Sequence, residues 1–418
     1  MLDLRAIRSD PDAARVALAR RGEGVADALD RVLELDARRR SLLPELEQRR
    51  AAKNAASKRI GELQRQGADA AGAIADVRKA SGREQELDGE LREVQIALDA
   101  ALFTLPNIPD ESAAPADAVL REVGAAGAAG RDHLELLGDL VDLRAGARVA
   151  GSRFAYLRGP LVLLELALVR WALEELGGKG FEPVVPPVLV REEALVGTGF
   201  LPDTEQQIYR VPDDGLYLVG TSEVPLASLH AGELLVEEEL PRRYAGFSPC
   251  FRREAGAAGR DTRGIFRVHQ FDKVEMFAFV RPEDSREEHE RLLAIQEELL
   301  QALGLPYRVV NIAVDDLGAS AAKKYDLEVW LPGQERYREL TSCSNTTDFQ
   351  ARRLDVRYRP SGEGGPRPVH TLNGTAVAVG RTIIALAENG QQEDGSVVLP
   401  DVLGEFGAPA RIEAPRAA

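Results

Sequence analysis

Two long stretches of apolar residues, spaced alternately three and four positions apart, dominate the first quarter of the chain. The first runs from Val32 to Leu63 and the second from Leu87 to Ala101, with the turn-forming segment Gln66–Gly72 between them. Because this spacing gives each helix one apolar seam, it predicts an antiparallel two-helix coiled coil over residues 27–102. Pro44 lies inside the first stretch, where it predicts a kink or a local break. A hairpin of this kind has no core beyond its seam, so we expect an arm that projects from a larger body.

The pattern changes after the hairpin. Residues 104–116 contain three prolines and show no periodicity, which predicts a linker. Further on, helical periodicity is limited to Leu161–Leu176 and Ser285–Leu303, whereas short strand-like runs are frequent. Closely spaced strands with few helices between them favour an antiparallel sheet, so we expect an α+β fold. The strand-like runs are Gln207–Val211, Phe266–Val280, Tyr307–Val314, Lys324–Leu331, Tyr337–Ser344 and Val369–Val379.

The arm differs in charge from the chain as a whole. The 418 residues carry a net charge of -15, yet residues 37–65 hold nine basic and three acidic side chains. Because Lys and Arg contacts to phosphates dominate affinity for nucleic acids, this local excess predicts that the arm binds RNA. A solvated coiled-coil face is the alternative that the segment leaves open. The basic residues that we expect to contact RNA are Arg49, Arg50, Lys53, Lys58 and Arg59.

The number and spacing of cysteines and histidines indicate in which compartment the protein works and whether it binds zinc. Cys250 and Cys343 are too few for a disulfide scaffold and indicate a reducing compartment. The five histidines show no paired ligand spacing, so no zinc site is expected. No apolar stretch reaches the roughly 20 residues that a bilayer requires, and the N-terminus lacks a signal-peptide pattern. A cytoplasmic protein without a membrane segment is therefore expected.

Two segments offer cationic groups for an anionic ligand. Phe251–Glu254 leaves a predicted strand, passes into the glycine-rich loop Ala255–Gly264 and returns at Phe266–Phe271. An arginine at such an exit can grip two phosphate oxygens at once. Arg381 lies where an apolar strand turns into a helix, at a sheet end where ligands tend to bind. For each segment, an ordinary ion pair at the surface or at a buried corner is the alternative.

Two further segments offer oxygen ligands. Glu339 and Ser342 provide hard oxygens of the kind that Mg²⁺ prefers when it also holds phosphates. Thr221–Glu223 and Glu275 bring two carboxylates that could neutralise an ammonium group. Each carboxylate by itself is more often a surface charge.

In combination, these motifs resemble those of bacterial-type seryl-tRNA synthetases, which are class II aminoacyl-tRNA synthetases. The resemblance spans essentially the whole chain. It implies a homodimer with a class II antiparallel sheet flanked by helices. It also implies an N-terminal tRNA-binding domain (1–103), a linker (104–116) and a catalytic domain (117–418). The motifs, in order, are TSEVPL at 221, CFRREAG at 250, RVHQFDKVE at 267, ELTSCSN at 339, FQARR at 349, HTLNG at 370 and GRTIIALAEN at 380.

The resemblance also implies an activity and a set of residues for it. ATP would activate L-serine to seryl-adenylate, and serine would pass to the 3′ end of tRNA(Ser), with tRNA(Sec) as a second candidate acceptor. The catalytic roles fall on Arg252, Glu339 and Arg381, and Mg²⁺ would be held by Glu339 and Ser342. The ATP-binding positions are Arg252, Arg253, Glu254, Arg267, Val268, Phe271, Glu339, Leu340, Thr341, Ser342 and Arg381. The serine-binding positions are Thr221, Ser222, Glu223, Glu275 and Thr375.

Three other functions are alternatives to this one. A catalytically inactive paralogue that only binds RNA is disfavoured by the intact Arg252, Glu254, Glu275 and Arg381. An amino acid:carrier-protein ligase would lack the arm, and a threonyl-type synthetase would need a zinc-ligand cluster. The chain departs from the family pattern at three positions, which are Thr346 (usually Cys), Thr375 (more often Ser) and Gly390 (commonly an aromatic or other residue).

Overall fold

The computed structural model describes residues 1–202, 207–255, 261, 263–362 and 364–415. The chain forms two compact units, one spanning Leu2–Leu105 and the other combining Met1 with Pro106–Ala418. The domain bounds drawn from the sequence, at 103 and 116, stay a prediction. No helix in the described part of the chain is long and apolar enough to cross a membrane.

The N-terminal unit is helical, and its two long helices form the predicted hairpin. Leu42 and Leu46 on the first long helix pack with Leu87 on the second, and Arg38 on the first pairs with Glu90 on the second. Residue numbers therefore rise along one helix as they fall along the other, so the helices are antiparallel. The helices of this unit are Leu4–Ser9 (α1), Pro11–Ala19 (α2), Val25–Arg65 (α3) and Ala71–Thr104 (α4).

Of the kink or local break predicted at Pro44, the break is wrong, because α3 continues through this residue as one helix of 41 residues, whereas the kink stays a prediction. A proline inside a helix removes one backbone hydrogen bond and crowds the preceding turn. However, helices in proteins owe most of their stability to packing. Leu42 and Leu46, on either side of Pro44, are both buried. The packed seam therefore holds the helix together across the proline.

The second unit is built on a large sheet with helices around it. Its helices are His133–Leu137 (α5), Leu143–Ala150 (α6), Pro160–Gly178 (α7), Glu192–Thr198 (α8), Glu223–Ala227 (α9), Ser285–Ala302 (α10), Phe349–Leu354 (α11) and Val379–Asn389 (α12). Its longer strands are Ala118–Val123 (β1), Arg242–Phe251 (β9), Gln270–Val280 (β10), Tyr307–Asn311 (β11), Lys323–Leu331 (β12), Arg336–Thr347 (β13) and His370–Ala378 (β16). Its shorter strands are Val141–Asp142 (β2), Tyr156–Leu157 (β3), Glu182–Val184 (β4), Leu189–Arg191 (β5), Tyr209–Val211 (β6), Leu216–Leu218 (β7), Leu234–Val236 (β8), Arg357–Arg359 (β14), Arg367–Pro368 (β15), Val397–Val398 (β17) and Arg411–Ile412 (β18).

The main sheet confirms the predicted antiparallel α+β architecture. Over the described residues it has eight strands in the order β1-β11-β12-β13-β16-β10-β9-β4. All neighbours pair antiparallel except β4, which runs parallel to β9. The strand predicted to start at Phe266 starts instead at Gln270, because the backbone N–H of His269 donates to the carbonyl of Arg153. Residues 266–269 are thereby left as an irregular segment beside the sheet.

Successive side chains along β10 face opposite sides of the main sheet. Val274 and Met276 point into the core that the sheet forms with α7, α10 and α12. Phe277 and Phe279 point to the other face, where α9 and α11 pack. Because successive side chains of a strand point to opposite faces, Glu275 lies on the side of the two phenylalanines. Lys273 and Glu275 therefore face α9 and α11.

Candidate active site

A cavity of about 420 Å³ opens on this face of the sheet, and most of the predicted site residues line it. Its wall is formed by β10, β13, β16, the first turn of α12 and the segments beside them. The lining includes two groups of predicted residues, which interleave along the chain between positions 221 and 381. The predicted ATP-side members are Arg252, Glu254, Arg267, Val268, Phe271, Glu339, Leu340, Thr341, Ser342 and Arg381, and the predicted serine-side members are Thr221, Glu223, Glu275 and Thr375.

Two predicted residues do not line the cavity. The backbone N–H of Arg253 donates to the carbonyl of Gln207 at 2.8 Å, and its side chain is not part of the wall. Ser222 is fully buried, and its hydroxyl lies 2.8 Å from that of Ser248 on β9. Neighbouring residues in an irregular or extended segment point in different directions, so a sequence motif does not place all its members at one site.

Two arginines give one end of the cavity its positive charge. The Arg252 Nε donates to the carbonyl of Gly220 at 3.1 Å, and its guanidinium lies 5.2 Å from the ring centroid of Phe271. The Arg381 Nη1 donates to the carbonyl of Glu339 at 3.0 Å, while its guanidinium covers the ring of Phe266 at 4.6 Å. Both guanidinium groups are thus held in place by a carbonyl and an aromatic face before any ligand arrives.

A network of ion pairs links the segments before and after the glycine-rich loop, through Glu254 and Arg267. The Arg267 Nη1 lies 2.5 Å from the Glu254 carboxylate, and its Nε lies 3.8 Å from Asp261. Arg338 donates two hydrogen bonds to Asp261, at 2.9 and 2.8 Å, which lowers the pKa of that carboxyl. Glu254 has φ +50, a left-handed conformation that costs free energy in a non-glycine residue. Most of the glycine-rich loop predicted over residues 255–264 lies outside the described residues.

Hard oxygen ligands lie next to Arg381. The side chain of Glu339 is 44% exposed, and its Oε2 lies 3.6 Å from the Arg381 Nη1. Burial acts to raise the pKa of Glu339, but Arg381 and Lys324 outweigh it and hold the value below its ordinary range. Asp326, which pairs with Ser342 across β12 and β13, has its pKa raised to about 7 by burial. Glu339 and Ser342 both line the cavity, and their oxygen atoms are of the kind that suits Mg²⁺.

The opposite end of the cavity is built around a buried lysine that the sequence interpretation did not include. The Lys273 Nζ lies 2.5 Å from the Glu275 Oε2 and 2.6 Å from the Thr221 Oγ1. The Thr375 hydroxyl donates to the same Glu275 oxygen at 3.2 Å. The period of two along β10 was the signal that could have found Lys273, since it lies two positions before Glu275.

Glu223 completes this end as a second buried carboxylate. Burial and the nearby Glu275 raise the pKa of Glu223 to about 7. Its Oε1 accepts a hydrogen bond from the Gln350 Nε2 at 2.8 Å. With both carboxylates ionised, Glu223, Glu275 and Lys273 together carry a net charge of one negative unit, so this end attracts a cation such as a primary ammonium group. The cavity therefore combines a positively charged end with a negatively charged end.

The three departures from the family pattern have different surroundings. Thr375 lines the cavity, whereas Thr346 is fully buried behind it and bonds to Thr371. Gly390 caps α12 where β17 approaches closely, because a Cβ atom there would lie 2.3 Å from the carbonyl oxygen of Val398. A larger residue at this position would require the backbone to move.

The basic residues of the arm divide into paired and unpaired groups. The Arg50 Nη2 lies 2.9 Å from Asp88, and the Lys53 Nζ lies 2.8 Å from Glu84. These two side chains therefore help to hold α3 and α4 together. By contrast, the exposed side chains of Arg49, Lys58 and Arg59 form no ion pair within the described ranges.

Comparisons with known proteins cover both units. Residues 1–109 match the seryl-tRNA synthetase N-terminal domain, and residues 209–390 match the tRNA synthetase class II core domain (G, H, P, S and T). The serine–tRNA ligase of Thermobifida fusca is 48% identical over 418 residues, covering 97% of each chain. The Pyrococcus horikoshii seryl-tRNA synthetase complexed with ATP is 42% identical with a TM-score of 0.95, covering 100% of both chains. The cytoplasmic serine–tRNA ligase of Naegleria fowleri in complex with AMP is 32% identical with a TM-score of 0.89, covering 100% of this chain and 99% of that one.

Proposed function

The chain belongs to the seryl-tRNA synthetase family, and from this premise we propose that its 420 Å³ cavity is where ATP and L-serine react. The carboxylate of serine attacks the α-phosphorus of ATP, pyrophosphate leaves, and seryl-adenylate remains. The 3′-terminal adenosine hydroxyl of tRNA(Ser) then attacks the acyl carbon and releases AMP; tRNA(Sec) is a second candidate acceptor. The observation that carries this assignment is that one cavity is lined both by the guanidinium groups of Arg252 and Arg381 and by the carboxylates of Glu223 and Glu275.

Arg252 and Arg381 stabilise the phosphate chain during activation. Phosphoryl and adenylyl transfer depend on in-line positioning and on positive charge where negative charge develops. Arg252, fixed by Gly220, meets the α-phosphate, and Arg381, fixed by Glu339, meets the departing pyrophosphate. Because the carbonyls and aromatic rings hold both guanidinium groups in advance, little reorganisation is needed when charge develops.

The nucleotide base lies beside the irregular segment that precedes β10. Phe271 offers its ring for stacking on adenine, with Val268 alongside it in the wall. Glu254 faces the exocyclic amino group of adenine, and Arg267 contributes further positive charge on the phosphate side. Since Arg267 pairs with Glu254, adenine has to share or displace that ion pair.

Glu339 and Ser342 would hold Mg²⁺ through hard oxygen atoms, and Asp326 lies across the strand pair from Ser342. When bound there, the ion would supply positive charge to the phosphate oxygens. The nearby Arg381 and Lys324 keep the Glu339 carboxylate ionised, which is the form that binds a metal ion.

Serine binds at the end of the cavity that contains Lys273, Glu275 and Glu223, which is therefore its serine end. Glu223 and Glu275 receive its ammonium and hydroxyl groups, and Thr221 and Thr375 supply further hydrogen bonds. A site that hydrogen-bonds a substrate hydroxyl strongly rejects an analogue lacking it, because buried polar groups are then left unpaired. Alanine is therefore rejected through lost hydrogen bonds, whereas threonine is excluded by the shape of the pocket.

The arm brings the tRNA to the catalytic unit. By the helix rise, the 41 residues of α3 span about 60 Å, long enough to reach a distant part of a tRNA. Arg49, Lys58 and Arg59, which form no ion pair in the part of the chain that the structure describes, present their charge to the RNA backbone. This suits double-helical RNA, because it is recognised mainly through its shape and backbone. Arg50 and Lys53 reach phosphates only by sharing their carboxylate partners.

A second copy of this chain covers the apolar face around α7. Val162, Leu163 and Leu166 are 42%, 53% and 59% exposed on one side of this helix. The adjacent edge strand β4 is followed by Val185, which is 79% exposed. Exposed apolar residues in such a group are typical of a protein interface. Light scattering of the purified protein tests the dimer, and Leu166→Arg should dissociate it.

The cytoplasm is the proposed compartment, since both thiols, Cys250 and Cys343, are free and buried as expected for a protein kept reduced.

The experiment that tests the whole proposal is ATP–pyrophosphate exchange with each amino acid in turn, followed by aminoacylation of tRNA(Ser). Exchange should depend on serine, and tRNA should then be charged. A protein that binds tRNA but supports no exchange would instead be an inactive RNA-binding paralogue.

A further inference from the structure

Behind the serine end of the cavity, Gln350 contacts Glu223 without reaching the cavity itself. Gln350 lies on α11, is fully buried and is not part of the cavity wall. We propose that Gln350 is a positioning residue whose amide holds the Glu223 carboxylate in the orientation that binds serine. The inference rests on the serine-binding role proposed above for Glu223.

The orientation of the Gln350 amide follows from its surroundings. Its Nε2 donates to the Glu223 Oε1 at 2.8 Å and to the backbone carbonyl of Thr198 at 3.2 Å. A backbone carbonyl can only accept, so the amide nitrogen must face Thr198, and its second N–H then points at Glu223. The amide oxygen lies on the other side and accepts from the Thr371 hydroxyl at 2.9 Å.

A pair of buried threonines fixes the amide from behind. The Thr346 hydroxyl lies 2.6 Å from the Thr371 hydroxyl and 2.7 Å from the Thr371 carbonyl oxygen, and it reaches the Gln350 Oε1 at 3.4 Å. All three side chains are fully buried. If the amide rotated away from Glu223, it would leave several buried polar groups unpaired, which is costly where no water can replace them. The network therefore holds Gln350 in one orientation.

This arrangement leaves one oxygen of Glu223 for the ligand. Gln350 engages the Oε1, and within the described residues no protein group donates to the Oε2, while the side chain lines the cavity. The charged groups that act on Glu223 are Glu275, Lys273 and Arg252, all in the cavity wall. The hydrogen-bonding groups that α11, β16 and α8 contribute to this network are neutral. Gln350 thus directs the free oxygen toward the cavity and favours the ionised form of the carboxyl.

The test variant is Gln350→Met, which keeps the length of the side chain and removes the amide. In serine-dependent pyrophosphate exchange, the KM for serine should rise about 10- to 100-fold, as expected when a hydrogen bond to a charged group is lost. The KM for ATP should stay unchanged. Because Gln350 lowers the pKa of Glu223 from the value that burial and Glu275 would give it, the pH midpoint of kcat/KM for serine should move upward. In a Glu223→Gln background, Gln350→Met should add no further loss.

Two control variants distinguish positioning from a general structural role. Gln301→Met removes an amide that bonds to Tyr307 away from the cavity wall and should leave both KM values unchanged. Thr371→Val leaves Gln350 in place but removes a hydroxyl that orients it, so the KM for serine should rise in the same direction by a smaller factor. If Gln350→Met does not fold, Thr371→Val and its double-mutant cycle with Glu223→Gln provide the test.

The possible results separate this inference from the proposed function. If the unmodified protein shows no serine-dependent exchange, the proposed function fails. If that protein is active but Gln350→Met keeps its KM for serine and its pH midpoint, only the role of Gln350 is overturned. A parallel loss for ATP and serine together with a lower melting temperature would also overturn it, since Gln350 would then only brace the fold.

Discussion

The substitution Lys273→Met tests the charge balance of the serine end of the cavity. It removes an ammonium group that lies 2.5 Å from Glu275 and 2.6 Å from the Thr221 hydroxyl, while it keeps most of the apolar stem. The side chains of Lys273 and Glu275 are only 7% and 3% exposed, so water screens the pair little. Removing one partner of a buried ion pair costs about 3–5 kcal/mol of folding free energy, and we expect a loss in this range at alkaline pH.

The loss should depend on pH in a defined direction. Burial and Glu275 raise the pKa of Glu223 to about 7, and Lys273 counteracts them, so removing the lysine raises this pKa further. A carboxyl whose pKa is higher in the folded than in the unfolded protein favours folding at low pH, and this contribution disappears as the pH rises through the folded value. The destabilisation by Lys273→Met should therefore be smaller at pH 6 than at pH 8.5.

Tryptophan fluorescence during urea unfolding measures this effect, because both tryptophans, Trp171 and Trp330, lie in the catalytic unit. Lys179→Met is the matched control, since Lys179 pairs with Glu298 where the two side chains are 27% and 57% exposed. An exposed pair of this kind contributes about 0–1 kcal/mol. The proposed balance of buried charges would be refuted by either of two results. One is that Lys273→Met lowers the free energy of unfolding by less than Lys179→Met does, and the other is that it lowers that free energy equally at pH 6 and pH 8.5.

Three further predictions concern activity. Arg252→Ala should lower serine-dependent pyrophosphate exchange about 100- to 1000-fold without unfolding the protein, and near-normal exchange would contradict its assignment to the α-phosphate. Glu275→Gln should raise the KM for serine and leave that for ATP unchanged in the same assay; the reverse pattern would exclude Glu275 from the serine site. Changing Arg49, Lys58 and Arg59 together to Gln should weaken tRNA binding and reduce the slope of log K against log salt by about 2–3 while exchange persists. An unchanged salt slope would show that these three residues do not contact the RNA.

The sequence could predict which elements exist, because long apolar periodicities and short alternating runs carry that information locally. It could also predict most of the cavity wall, since the motifs around Arg252, Glu275 and Arg381 identify it together. The order of strands was not predictable in the same way. Placing β16 between β10 and β13 depends on pairing across roughly a hundred residues, as between Glu275 and Thr375.

The misses have separate physical causes. Ser222 and Arg253 belong to the right motifs but point away from the cavity, because adjacent side chains differ in direction. Pro44 did not break α3, because packing against α4 outweighs the local penalty. Gln350 was part of a recognised motif, but only the packing of α11 behind β16 brings it to Glu223.

The position of β16 in the sheet has a consequence for the way the protein is made. This strand lies between β10 and β13, yet it is the last strand of the main sheet to be synthesised, ending at Ala378. Until the ribosome has released it, the strands on both sides expose unpaired edges, which are prone to aggregation. The arm, by contrast, is complete in sequence by Thr104, and its two helices form fast because the hydrogen bonds within each helix are local. A nascent chain should therefore carry a folded arm long before its catalytic sheet can close, and chains that end before His370 should be recovered as aggregates.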